Sequence, residues 1–103
     1  MTDDQRTALL TMLKYNLDII TDYMDQEAKE QKEAQLLNYI DASVEFIERE
    51  GVNLDFSKIG DMMLTVMYSQ YLYDKRMDGV SVMPRALRYE LNNRVFQQKV
   101  NDA

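Results

Sequence analysis

Helix breakers are scarce and punctual in this chain, with glycine at Gly51, Gly60 and Gly79 only and a single proline at Pro84. Long uninterrupted stretches between these points carry apolar residues at three- and four-residue steps, the repeat of an amphipathic helix. The pattern predicts an all-α fold, a small antiparallel bundle of about four helices in one domain over residues 1–103. No internal repeat, low-complexity tract or sustained heptad points to a coiled coil instead.

A first helix should start near Asp3 or Asp4, whose carboxylates can cap free N–H groups, and bury Leu9, Leu10, Leu13 and Leu17. It should weaken between Asn16 and Asp22. The second carries Leu36, Leu37, Ile40, Val44 and Ile47 and stops at Gly51, where a left-handed residue suits a helix end. Its upstream part, Asp25 to Gln35, is charged and poor in large apolar groups, so its helicity is less secure. Residues 51–57 read as a short irregular linker, with Leu54 and Phe56 folding back on the core and Asp55 or Ser57 capping the next helix.

A third helix should run from about Lys58 to Met77 and end at Asp78-Gly79, and a fourth should begin with Pro84 in its first turn and repeat Leu87, Leu91 and Val95. Breaks are expected at Gly51 to Phe56 and Gly79 to Met83. The predicted core is Leu37, Ile40, Val44, Ile47, Val66, Leu87 and Leu91. A chain of 103 residues buries roughly two-thirds of its unfolded surface, enough for one modest core.

Composition removes much catalytic chemistry. No cysteine means no disulfide or thiolate site, and no histidine removes the usual acid-base group near neutral pH. The acidic pairs Asp3/Asp4, Asp22/Asp25 and Asp41/Glu45 show no sign of the opposed carboxyls that glycoside hydrolysis needs. Asp22, Asp25 and Glu27 are a weak divalent-cation pattern without the glycine of a calcium loop. No phosphate loop or nucleophile elbow is present. These features predict a protein that is not an enzyme and uses no cofactor or metal. No apolar run approaches a membrane span, and the start Met-Thr-Asp-Asp-Gln is acidic where a secretory signal is basic, which predicts synthesis and retention in the cytoplasm.

The net charge of −6 is unevenly spread: residues 1–74 hold 15 Asp/Glu against 6 Lys/Arg, and residues 75–103 hold 3 against 6. Two solvated faces of different sign are one reading. The other is head-to-tail assembly, the basic end of one subunit meeting the acidic body of the next. Lys75, Arg76, Arg85, Arg88 and Arg94 form a basic group that could meet carboxylate or phosphate. Overall acidity and the lack of a compact reading face argue against a dedicated DNA binder. Met62, Met63 and Met67 with Tyr68, Tyr71 and Tyr73 read mainly as core, but seven tyrosines exceed what one small core needs. Tyr71 and Tyr73 are therefore candidates for the margin of a protein interface.

The order of motifs in the last third, Gln70-Tyr71-Leu72-Tyr73-Asp74-Lys75-Arg76 followed by Met83-Pro84-Arg85-Ala86-Leu87-Arg88-Tyr89-Glu90-Leu91-Asn92-Asn93 and Phe96, resembles the head-to-tail connector (adaptor) proteins of long-tailed bacteriophages. Leu13-Lys14, Leu17-Asp18-Ile19 and the Leu36-Leu37, Ile40, Ala42, Ile47 stripe are similar to the family's opening segments, and Asp61, Leu64 and Tyr68 to Arg76 to its long central helix. The Thr21 to Gln35 stretch departs from it, being longer and more charged than the short acidic turn the family implies.

The resemblance implies a non-enzymatic virion protein at the head–tail interface. Its homo-oligomeric ring, of about twelve subunits, would join the portal protein of the DNA-filled head to the next head-completion stopper or tail protein. Genomic DNA would pass through the channel without sequence-specific binding, and acidic walls would reduce its sticking. The helix from Pro84 and the tail Gln97 to Ala103 would contact the portal. Tyr71, Tyr73, Lys75, Arg76, Arg85, Arg88 and Arg94 are the candidate subunit or portal interface. A generic helical binding module or a small phage-encoded regulator with non-specific nucleic-acid contact is the alternative.

Overall fold

In a computed structural model, which describes residues 1–79 and 82–102, the chain forms four helices: α1 (Asp3–Asn16), α2 (Gln26–Arg49), α3 (Ile59–Asp78) and α4 (Arg85–Asp102). No strand occurs among the described residues. Val80 and Ser81, inside the predicted break at Gly79 to Met83, and Ala103 lie outside them.

Each helix end has a local cause. The cap of α1 is Thr2 rather than Asp3 or Asp4: its hydroxyl accepts from the Gln5 N–H at 3.1 Å while Gln5 Oε1 accepts from the Thr2 N–H at 2.9 Å. A hydroxyl with an amide three residues on satisfies two orphan donors reciprocally. That leaves Asp3 and Asp4 inside the first turn, where their charge meets the positive end of the helix dipole. At the other end Asp18 takes a left-handed conformation with φ of 56°, and Asp18 and Ile19 donate back to Tyr15 and Lys14.

α2 begins eleven residues before Leu37, because Asp25 accepts from the Ala28 N–H at 2.8 Å. The segment expected to be insecure is helical from Gln26 onward. The helix closes at Gly51, with φ of 100°, where Gly51 and Val52 donate to Glu48 and Ile47. Ile47 and Val52 then bury together, the apolar contact that accompanies this kind of helix end. Neither Asp55 nor Ser57 caps α3. Asp55 accepts from Ser57 N–H and Oγ, which holds its carboxyl below the usual range, and Lys58 occupies the cap position without a side-chain bond. Pro84 sits one residue before α4 instead of within its first turn, its carbonyl accepting from the Arg88 N–H at 3.1 Å.

α2 and α3 are the antiparallel centre. Along their seam Ser43, Thr65 and Ser69 are fully buried, each small enough to bring the helix axes close. Ser43 and Thr65 donate to carbonyls one turn back, and the single Ser69 hydrogen serves either the Thr65 carbonyl at 2.8 Å or the Ser43 hydroxyl at 3.0 Å. Buried hydroxyls paired this way avoid the cost of an unmet donor.

Two apolar clusters lie on either side of this seam. α1 covers the first, formed by Leu9, Leu10, Leu13, Leu36, Ile40 and Val66, with Phe56 folded onto it. α4 covers the second, formed by Ile47, Val52, Leu64, Tyr68, Leu87 and Leu91, with Leu54 against it. Of the predicted core, Ile40, Ile47, Val66, Leu87 and Leu91 are buried. Leu37 is half-buried, and Val44 lines a shallow surface groove with Asp41, Glu45 and Glu48 because Ser43, not Val44, faces α3.

Candidate interaction surface

The basic residues of the last third divide into two groups. Arg88, on the flank of α4, forks onto Glu50 at the end of α2, with Nη1 to Oε1 at 2.5 Å and Nη2 to Oε2 at 3.2 Å. Its pKa is raised by that hydrogen bond. Arg94 binds Asp61 in the first turn of α3 and Glu90 one turn back on α4, the latter at 3.0 Å. Burial pulls the Arg94 pKa down, but the bonds to Asp61 and Glu90 outweigh it and the net direction is up. Gly60 makes room for this guanidinium, since a Cβ there would lie 3.2 Å from Nη2. Gln98 adds a third tie, accepting from the Asn53 N–H and donating to the Gly51 carbonyl, both at 2.6 Å.

Arg88 and Arg94 are therefore committed within the chain, and part of the charge asymmetry is an intramolecular pairing of α4 with the acidic body. Sequence reasoning placed both in an open basic group. Their partners Glu50 and Asp61 stand 38 and 33 residues away, a separation that no local spacing reveals.

Lys75, Arg76 and Arg85 are exposed, and none forms an ion pair among the described residues. Arg76 borders a shallow recess between α2 and α3 with Gln31, Gln35, Asn38 and Tyr39. Tyr71 and Tyr73 are both half-buried but on different sides of α3. Tyr71 meets Tyr68 edge-on at 5.9 Å in the second cluster, whereas Tyr73 meets Tyr39 edge-on at 6.0 Å and accepts from Lys32 Nζ at 3.2 Å in the first. The seven candidates thus do not form one surface.

An apolar surface that sequence reasoning did not pick out lies on α4, within the helix that the resemblance gives to portal contact. Leu87, Leu91 and Val95 face the core, and Tyr89, Phe96 and Val100 emerge on the opposite side, 70%, 67% and 57% exposed. At about 100° per residue, positions 89, 96 and 100 fall within about 40° of one another and roughly half a turn from Leu87. The signal was present as a second apolar register on α4, seven and four residues apart, hidden behind the Leu87/Leu91/Val95 repeat. Beside this face Ala86, Met63 and Met67 line a shallow groove between α3 and α4.

A second group of exposed large side chains lies around the α1–α2 connection, at the opposite end of α2 from α4, where Tyr15, Ile20 and Tyr23 are 84%, 63% and 91% exposed. Asp18, Asp22 and Asp25 are exposed among them.

Three members of the acidic pairs have structural duties. Asp25 caps α2, Asp41 binds Arg6 at 2.7 Å and Glu45 binds Arg49 at 2.5 Å. Among the described residues no three His, Cys, Asp or Glu side chains are grouped to hold a metal ion, and no helix is long and apolar enough to cross a membrane. What the exposed geometry offers is protein contact: large rings on a rigid helix, flanked by an uncommitted arginine. No family model, no curated protein and no solved structure matches this chain.

Proposed function

We propose that the chain is a structural adaptor subunit, acting through protein–protein contacts in a homo-oligomeric ring between the portal of a DNA-filled phage head and the next stopper or tail component. The observation that carries the reading is the second apolar face of α4. A helix that buries one face and leaves Tyr89, Phe96 and Val100 on the other has a surface suited to a further protein layer. The ordered similarity of Gln70 to Arg76 and Met83 to Phe96 to the phage connector family supplies the identity of that layer. Exposed Arg85, the first residue of α4, gives it a polar rim contact. DNA passes the ring without being read, and the place of action is the virion's head–tail interface.

The test is a mass measurement of the purified protein alone and mixed with a portal ring, alongside a duplex-binding titration. A discrete complex with the portal and weak, salt-sensitive duplex binding are expected. A chain that ignores the portal, or binds one duplex sequence selectively at physiological salt, would replace the adaptor reading with that of a regulator.

A further inference from the structure

We propose that the outer face of α4 in one copy docks on the α1–α2 connection of a second copy, so that the chain associates head to tail. This deepens the adaptor reading and rests on it for the ring, but the contact itself is argued from the two surfaces.

Each surface has what the other lacks. The outer face of α4 is apolar and basic: Tyr89, Phe96 and Val100 run along it with Arg85 at one end, and the nearby acid Glu90 is turned away to Arg94. The α1–α2 connection is apolar and acidic, Tyr15, Ile20 and Tyr23 standing among Asp18, Asp22 and Asp25. Opposite charge around matched aromatic surface favours this pairing, and like charge penalises α4 against α4 or connection against connection. In a parallel α4 pair the arginine-bearing ends would meet one another, and in an antiparallel pair Arg85 would meet an end that carries Lys99 as well as Asp102, a weaker match than the three aspartates of the connection.

The two surfaces cannot satisfy each other within one molecule. The connection leads into the first residue of α2, whereas α4 is tied by Arg88 and Gln98 to Glu50 and Gly51 just beyond its last. A helix of 24 residues holds those ends about 36 Å apart. Complementary patches at opposite ends of a rigid body make a heterologous contact, which propagates into a ring or a filament.

The three exposed side chains of α4 present about 300–400 Å². That is at most half of the roughly 800 Å² per partner of a standard interface, so single contacts are weak and association depends on concentration.

The experiment uses the intact chain with Phe96→Asp, which spoils the α4 face, and Tyr23→Asp, which spoils the connection. Both positions are exposed, and unchanged melting confirms folding; Phe96→Ser and Tyr23→Ser serve if an aspartate disturbs it. Light scattering through about 1 mM protein reads the mass. Wild type should grow into larger species, each variant alone should lose association at least about tenfold, and an equimolar mixture of the two should form a pair that grows no further. That mixture keeps one good α4 face and one good connection, which meet once.

A variant that assembles like wild type, a mixture that stays monomeric, or a wild type that remains monomeric throughout would each overturn the proposal. Portal binding is scored separately. Wild type that binds the portal while the pairing fails leaves the adaptor reading intact; wild type that pairs but ignores the portal removes the adaptor reading and keeps the head-to-tail contact.

Discussion

Arg94 on α4 and Asp61 in the first turn of α3 form an ion pair that closes over Gly60, with the Asp61 carboxylate nearly sealed from solvent and also accepting the Asp55 N–H at 2.7 Å. One side chain thus joins the last helix, the linker and the central hairpin. Removing its partner strands a buried charge, and Arg94→Met should cost about 3 kcal/mol in urea unfolding. Adding Asp61→Asn should recover part of that, because the amide still accepts the Asp55 N–H without carrying a charge. A loss below about 1 kcal/mol for Arg94→Met would show that the pair contributes no more than an exposed one.

The Arg88–Glu50 pair is half-exposed, so solvent and salt screen it. Arg88→Glu on a free surface would leave stability unchanged, but here it sets two carboxylates against each other and should cost about 1 kcal/mol. The exchange Arg88→Glu with Glu50→Arg should restore most of the loss. Equal melting of Arg88→Glu and wild type at low salt would contradict the pairing.

Two helix ends test the backbone in opposite senses. Gly51 has φ of 100° with open space where a Cβ would stand, so Gly51→Ala is strained by conformation alone and should destabilise by about 1 kcal/mol. Asp18 adopts a comparable left-handed conformation with a side chain present, and Asp18→Gly should be neutral to stabilising by about 0.5 kcal/mol. Denaturant midpoints that move in the same direction for both would reject this account of the two ends.

Burial first, and then the nearby Glu50 charge, raise the Tyr68 phenol above its ordinary 10.0. The folded chain therefore holds this proton more tightly than the unfolded chain. The contribution is fully present below the ordinary tyrosine value and is lost as pH rises through the raised folded value. Tyr68→Phe should flatten the fall in stability above about pH 10 without steepening it below. An alkaline profile of the variant that parallels wild type would assign the fall to other groups.

Ile40 and Leu91 have no exposed surface and sit in different clusters, so alanine at either should cost about 2–5 kcal/mol. Val44→Ala should cost well under that, being on the groove side of α2. Comparable losses at Val44 and Ile40 would mean that α2 is rotated from the orientation described.

Breaker positions and apolar spacing made the four helices legible, because backbone preference and one buried stripe act over a few residues. Helix edges were less so. Thr2 competes with Asp3 and Asp4 for the same orphan donors, and its hydroxyl wins through the reciprocal bond from Gln5. The α2 start was obscured by charge, although Asp25 three residues before Ala28 is a cap. Val44 looked like core because its spacing fits, but the seam prefers the smaller Ser43 opposite Ser69. At the surface, Tyr71 and Tyr73 looked like neighbours only because they are close in sequence. On a helix, positions two apart diverge by about 200°.

The covering of the second apolar cluster also has a bearing on synthesis. Leu9 to Val66 complete the first cluster with α1, α2 and the middle of α3, before most of the last third has been made. Ile47, Val52, Leu64 and Tyr68 have no roof until Leu87 and Leu91 emerge, with Arg88 bringing the clasp to Glu50 between them and Arg94 the clasp to Asp61 afterwards. A nascent chain paused after α3 would present half a finished core beside an open apolar trough, a state in which unprotected chains adhere to one another. Docking of α4, rather than collapse of the hairpin, is then the moment at which this fold becomes safe to concentrate.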